Sequence, residues 1–284
     1  MTTNACTLLP PGADEAIALV CDSPHSGTHY PADFRPSAPM HLLRQGEDTH
    51  IERLWSAVPE FGGTLLSANF PRTYIDPNRS LDDLDATLLD GPWPEALAPG
   101  EKTRLGYGLI WRQINAGTPI YDRRLTVAEV QQRIDRYWRP YREALTREVD
   151  TAHRRFGGVW HLNLHSMPNN AYQRLGIRST RPLADFVLGD RDGTTCEPGL
   201  IDAVQRSLED AGYSVARNDP YKGVAVLAEI GRPAENRHSL QIEVRRPLYM
   251  DESSREPNTG FSLLQSDLRG VVRDVAAYVR SRMG

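Results

Sequence analysis

Between Thr126 and His165 the sequence spells out a long amphipathic helix followed by an apolar strand, and few kinds of fold accept that unit. Thr126 and Glu129 have the spacing of a capping box. Val127, Val130, Ile134, Tyr137, Tyr141, Leu145 and Val149 then form one inner stripe at helical spacing. Pro140 predicts a kink or a split, and Gly157-Gly158 predicts the end. Residues 159–164 are a strand that stops at His165. The same alternation recurs along the chain. Strands are expected over 17–21, 64–69, 74–75, 185–188 and 240–244. Helices are expected over 48–58, 198–211 and about 261–283, each with an apolar stripe. Residues 80–119, rich in Asp, Pro and Gly, read as a long loop region. Alternating strands and helices imply an α/β fold, a sheet with helices on both faces. No stretch divides the 284 residues cleanly, so one domain over 1–284 is expected.

Two histidines stand where such strands end. His25, in CDSPHSGTHYPADF, follows the strand over 17–21, and Pro24 and Gly27 disfavour a helix there. His165 ends VWHLNLHSMP in the same way. In open α/β sheets ligands bind at strand ends. Either histidine alone reads as a hydrogen-bonded turn residue. As a pair they suit zinc, which takes about four nitrogen, oxygen or sulfur donors. No cysteine is near, so a third protein ligand would be a carboxylate. The segment 69–79 places Arg72 and Arg79 around a short apolar stretch with Asp76 and Asn78. That pattern fits a surface strand with paired arginines, or a carboxylate clamp with an oxyanion contact. Glu243 is a carboxylate in an apolar strand, which suits a polar cavity and a general base. Adjacent Arg245 and Arg246 leave an exposed, ion-paired strand face as the alternative.

The formal net charge of −4 argues against a dedicated nucleic-acid binder. Positive charge comes almost wholly from arginine, the better residue for bidentate capture of carboxylates. Cys6, Cys21 and Cys196 form no CxxC pair and no disulfide framework, which suits a reducing compartment. The opening MTTNACTLLPPGADE lacks the basic start and apolar core of a signal peptide. No apolar run approaches the roughly 20 residues that span a bilayer. A cytoplasmic protein without a membrane or nucleic-acid partner is expected.

In order along residues 17 to about 275, PHSGTHYPADF, EDTHIERLW, RTYIDPNRS, GTPIYDRRLTVAEVQQRIDRYWRPYREAL, LNLHSMP and RHSLQIEVRRPLYMDE form a set. Together they resemble the N-formylglutamate amidohydrolase (deformylase) family, and more distantly the zinc carboxypeptidases and aspartoacylase. The resemblance implies a zinc-carboxypeptidase-like (phosphorylase/hydrolase-like) α/β fold, a three-layer mixed sheet between helices, and one Zn2+ per chain. Carboxypeptidases take their first ligands from H-x-x-E, but Thr28 stands three residues after His25. The acidic ligand must therefore lie elsewhere. Asp48 is assigned beside His25 and His165, with Glu47 or His50 as neighbours able to replace it. By the same resemblance Glu243 is the general base and Arg72 holds the oxyanion. Asn78 and Arg79 hold a substrate carboxylate, and His238, Lys222 and Gly223 border the pocket. The implied reaction is hydrolysis of the N-acyl amide of an acidic amino acid, with N-formyl-L-glutamate giving formate and L-glutamate. The alternatives are a zinc amidase or carboxypeptidase on another N-acyl or peptide substrate, and a non-catalytic metal- or carboxylate-binding relative. His29, His41, His153 and His161 suggest only solvent or packing, and Met167 and Tyr249 read as pocket wall or core.

Overall fold

A computed structural model describes residues 5–115 and 117–283; the first four residues of the amino-terminal stretch lie outside them. The strands of the main sheet are β1 (Cys6–Leu9), β2 (Leu19–Ser23), β3 (Thr64–Ala68), β4 (Val159–Met167), β5 (Phe186–Gly189), β6 (Val215–Arg217) and β7 (Arg237–Arg245). The longer helices are α1 (Val127–Arg133), α2 (Arg139–Phe156), α3 (Pro198–Asp210) and α4 (Phe261–Arg282). The chain divides into two compact units.

One unit comprises Leu8–Ser23, His50–Leu66 and Thr146–Gly284. It carries the seven-stranded sheet, apart from the ends of β1 and β3, where the chain passes into the other unit. Strand order is β1-β3-β2-β4-β7-β5-β6. β2 and β7 run parallel to β4, β5 is antiparallel to β7, and β6 is parallel to β5. The sheet is mixed, as expected. Alternation explains its two faces. Trp160, Leu162, Leu164, Leu240, Ile242 and Val244 point into one apolar core with the stripes of α3 and α4. The intervening residues of β4 and β7 are polar, and they are buried too.

The other unit comprises Pro24–Thr49 and Ser67–Leu145 with the amino-terminal residues up to Thr7. Its centre is aromatic. Phe34, Tyr74 and Tyr121 surround the guanidinium of Arg133, at 5.6, 4.3 and 5.5 Å from the ring centres. The capping box at Thr126 and Glu129 forms as expected, and it starts α1.

Two expectations change. The helix over 48–58 reduces to Ile51–Leu54 and a separate 3-10 turn at Val58–Phe61. His50 has φ 73°, a left-handed conformation that no helix continues, so Asp48 lies in a turn before the helix. Tyr74 and Ile75 are buried turn residues and not a strand. The long helical pattern does divide near Pro140, as expected: Ile134–Trp138 forms a π-helical turn between α1 and α2. That wider turn removes the clash a proline ring makes with the carbonyl four residues back. Gly157 closes α2 with φ 73°. No described helix is long and apolar enough to cross a membrane.

Candidate active site

The segment 71–79 has no regular secondary structure, so its buried carbonyls need other partners. Side chains of the 127–145 region provide them. Arg133 donates to the Tyr74 carbonyl at 3.0 Å, Arg142 to Pro77 at 3.3 Å, and the Trp138 indole to Arg79 at 2.9 Å. The held loop aims Asp76 inward. Its Oδ1 accepts from His25 Nε2–H at 2.8 Å and from the Asn78 amide at 2.9 Å. Its Oδ2 accepts from Arg72 at 3.1 Å and from the Trp111 indole at 3.4 Å. Burial alone would raise the Asp76 pKa. Its interaction with His25 and the guanidiniums of Arg72 and Arg79 overcome that and hold the carboxyl well below its usual range.

This bond sets the tautomer of His25. With the proton on Nε2, the lone pair is on Nδ1, and Nδ1 faces Asp48 Oδ2 at 3.5 Å. A lone pair opposite a carboxylate oxygen is repulsive unless a cation lies between them. An imidazole oriented by an outer carboxylate is the usual form of a metal-bound histidine. The backbone also holds the two together, since the Asp48 amide donates to the His25 carbonyl at 2.9 Å. The other two candidates are engaged elsewhere. Glu47 accepts from Tyr30 and Thr49 and pairs with Arg44. His50 donates to the Arg255 carbonyl at 2.9 Å and accepts from Arg53 at 3.2 Å.

Arg72 also lies over the Trp111 ring, 4.8 Å from its centre. Arg79 is buried and donates through Nε to the Tyr107 carbonyl at 3.0 Å, with Asp83 at 3.8 Å. Burial lowers its pKa against the pull of Asp76. The loop approaches the His25 turn very closely. A Cβ on Gly27 would lie 2.3 Å from the Phe70 carbonyl oxygen and 2.5 Å from the Phe70 nitrogen. Gly27→Ala is expected to shift backbone rather than a side chain. Overpacking of this kind costs about 1–3 kcal/mol. A lower melting temperature together with slower turnover is the expected result, checked by calorimetry and initial rates.

In the sheet unit, β4 and β7 present His161, Asn163, His165, Ser239, Gln241 and Glu243 on one face. The parallel register pairs His161 with Ser239, Asn163 with Gln241 and His165 with Glu243. A relay fixes this row. Asp22 of β2 accepts from His161 Nε2–H at 3.0 Å and from the Asn163 amide at 2.7 Å. Asn163 Oδ1 in turn accepts from His165 Nε2–H at 2.6 Å. The lone pair of His165 is therefore on Nδ1, as it is in His25. Glu243 is 7% exposed and accepts from Gln241 at 2.9 Å, so it does not sit on an exposed ion-paired face. Arg245 pairs instead with Asp185, and Arg246 is buried against Ser166.

The donor set fits a zinc-type ion: neutral imidazoles with defined lone pairs, a buried carboxylate and no thiolate. Burial pushes the Cys196 thiol up to about 12 and the Cys21 thiol higher still.

Two of the pocket residues expected from sequence are placed differently. His238 is on the opposite face of β7 from Glu243, five residues away, which is about 17 Å along a strand. It packs on Trp160 and accepts from the Glu197 amide. Lys222 is exposed and pairs with Asp192 at 2.9 Å, beside Gly223 with φ 107°. Tyr249 and Met167 are fully buried. Sequence reasoning passed over Asp76, Asp22, Asn163, His161 and Gln241. The signal for Asp76 was an acid between two arginines in RTYIDPNR. For the others it was the strict polar–apolar alternation of HLNLH and SLQIE.

Comparison with known proteins places the chain in a family. A solved structure of N-formylglutamate amidohydrolase from Ralstonia eutropha JMP134 is 66% identical, covers 99% of this chain and 100% of that one, and superposes with a TM-score of 0.97. N-formylglutamate deformylase of Pseudomonas aeruginosa is 28% identical over 270 residues, 91% of each chain. The gene product Atu2144 of Agrobacterium tumefaciens, 18% identical with a TM-score of 0.62 over 98% of this chain and 95% of that one, shares the fold. The N-formylglutamate amidohydrolase family profile matches residues 17–250. On that match the chain belongs to the N-formylglutamate amidohydrolase family.

Proposed function

We propose that this protein is a zinc-dependent amidohydrolase that converts N-formyl-L-glutamate and water to formate and L-glutamate, with residues 1–284 acting as one amidohydrolase-like domain. The observation that carries this reading is the environment of His25. One ring nitrogen is bound by a deeply ionised carboxylate and the other faces Asp48, in a chain of this family. His165 is the residue proposed to complete the His-Asp-His ligand set. A bound zinc ion supplies Lewis acidity and lowers the pKa of a water towards about 7.

The chain's own residues divide the remaining work. Glu243 accepts the proton of the attacking water and returns it to the leaving amine. Arg72, held by Asp76 and Trp111, stabilises the oxyanion as the carbonyl becomes tetrahedral, an effect of about 2.7–4 kcal/mol per donor. Arg79 and Asn78 hold a carboxylate of the substrate. Asp76 keeps His25 in one tautomer and Arg72 in one place. Asn163 does the same for His165.

A panel of N-acyl amino acids tested with zinc-loaded protein, with formate measured directly, is the deciding experiment. N-formyl-L-glutamate should be the best substrate, and no hydrolysis of any N-formyl amino acid would reject the reading. Arg79→Lys should reduce kcat/KM on N-formyl-L-glutamate at least about tenfold, because lysine cannot copy the bidentate grip and 1.4 kcal/mol is a factor of ten. An analogue with that carboxylate amidated should be affected far less. Equal losses on both substrates would remove Arg79 from carboxylate binding.

A further inference from the structure

We propose that Asp22 is a positioning residue for His165: acting through the Asn163 amide, it dictates which ring nitrogen of His165 carries the proton and which keeps a lone pair for a metal ion. This deepens the reading above and rests on the ligand role given there to His165.

The argument starts from what each group can do. An ionised carboxylate only accepts hydrogen bonds. An amide side chain has one accepting end and one donating end, and a neutral imidazole has one nitrogen of each kind. In the parallel pairing of β2 with β4, Asp22 lies in register with Asn163. Asp22 Oδ1 accepts from the Asn163 side-chain nitrogen at 2.7 Å. The carboxylate thus fixes which end of the amide faces it. The amide oxygen is left to meet His165 Nε2, at 2.6 Å. That oxygen accepts, so Nε2 must donate. The choice made at Asp22 is passed on as a choice of tautomer at His165, two hydrogen bonds away.

Asp22 is itself held in place. His161 Nε2–H donates to the same carboxylate oxygen at 3.0 Å, and His161 Nδ1 meets the Ser239 hydroxyl at 2.8 Å. Asp22, His161, Asn163 and Ser239 are all fully buried. A turned amide would set two oxygens against each other beside Asp22. Away from bulk water such a mismatch costs more than it does at a surface. The network therefore accepts one orientation of Asn163 and rejects the other.

The two histidines are oriented by different means. At His25 a carboxylate, Asp76, bonds the ring directly. At His165 an amide stands between the ring and the carboxylate that sets its direction. An amide can be reversed where a carboxylate cannot. Reversed, Asn163 would donate to His165 Nε2, and the imidazole proton would sit on Nδ1. A protonated nitrogen cannot ligate a metal. The ligand role of His165 thus depends on a residue one strand away that acts through Asn163.

The test reads the tautomer directly. Nitrogen NMR of isotope-labelled imidazoles in the metal-free protein, with the rings neutral, distinguishes a protonated ring nitrogen from a bare one. In wild type His165 should carry its proton on Nε2. Asp22→Leu removes the acceptor and should let the Nδ1–H form of His165 emerge. Asp22→Asn can still present one oxygen to both donors and should restore the wild-type pattern. In equilibrium dialysis Asp22→Leu should bind zinc at least about tenfold more weakly than wild type, and Asp22→Asn within about threefold of it. A merely structural role would lower the melting temperature of Asp22→Leu and leave both the proton on Nε2 and the zinc affinity as they were; that result overturns the proposal. So does an Nδ1–H form of His165 in wild type, a measurement that needs no variant to fold. Wild type that binds no zinc, or hydrolyses no N-formyl amino acid, would instead reject the broader functional reading, and the tautomer measurements would still decide on Asp22.

Discussion

Glu243→Gln gives a folded protein that keeps its metal and turns over N-formyl-L-glutamate at least about a hundredfold more slowly, the lower end of what general acid–base catalysis contributes. The substitution is close in shape, and the neighbouring Gln241 amide still finds an oxygen at this position. What disappears is the capacity to accept a proton. The loss should therefore appear in kcat, with melting temperature and metal content unchanged. The starting geometry makes the comparison clean. Glu243 is buried on the polar face of β7 in direct register with His165, so no surface ion pair is removed along with it. Activity within a few-fold of wild type would reject the general-base role.

His165→Ala should weaken metal binding by at least about a hundredfold. Loss of a mere outer partner of a ligand already costs about 10–100-fold. Two protein ligands, His25 and Asp48, do not make a catalytic zinc site, which ordinarily has three. Equilibrium dialysis of the purified variant against zinc measures this without reference to activity. A second effect accompanies it. Asn163 Oδ1 loses the donor now 2.6 Å away, and a lost intramolecular hydrogen bond costs about 0.5–1.5 kcal/mol. The metal-free variant should therefore melt below the metal-free wild type. Tight stoichiometric zinc in the variant would show that the ligand set is wrong. Metal found on Glu47 or His50 in place of Asp48 would correct the second ligand only.

The strands β2, β3, β4, β5 and β7 were legible because burial leaves a period, whereas the short edge strands β1 and β6 were not. β4 and β7 could be found from Leu162, Leu164, Leu240 and Ile242 alone, and α1 from its capping box. What escaped was the meaning of the polar residues between them. His161 looked like a packing residue, yet it is fully buried with both ring nitrogens bonded, to Ser239 and to Asp22. Its partners come from strands about 80 and 140 residues away in sequence, and no local pattern carries that pairing. His25 was legible as a candidate ligand and Asp48 entered through the resemblance, but their setting was not legible. The helix expected from residue 48 rested on apolar spacing at Ile51, Leu54, Trp55 and Val58. Those residues are buried, but His50 breaks the backbone before them. Tyr74 and Ile75 failed as a strand for a related reason. Their apolar character serves the aromatic cluster around Arg133, and the carbonyl of Tyr74 is bonded to a side chain and not to a neighbouring strand. His238 shows the opposite error: a chemically suitable residue in a matching segment, placed by strand parity on the wrong face.

The parallel pairing of His165 with Glu243 also bears on how this protein loses activity under stress. Both residues belong to central strands whose amides are covered on each side, and such amides exchange with solvent only through the largest opening events. A residue on a loop can drift away while the rest of the molecule stays native. These two cannot separate unless the middle of the sheet opens. Heat inactivation arising from this pair should therefore coincide with global unfolding, and the amide protons of Leu164 and Ile242 should be among the last to exchange.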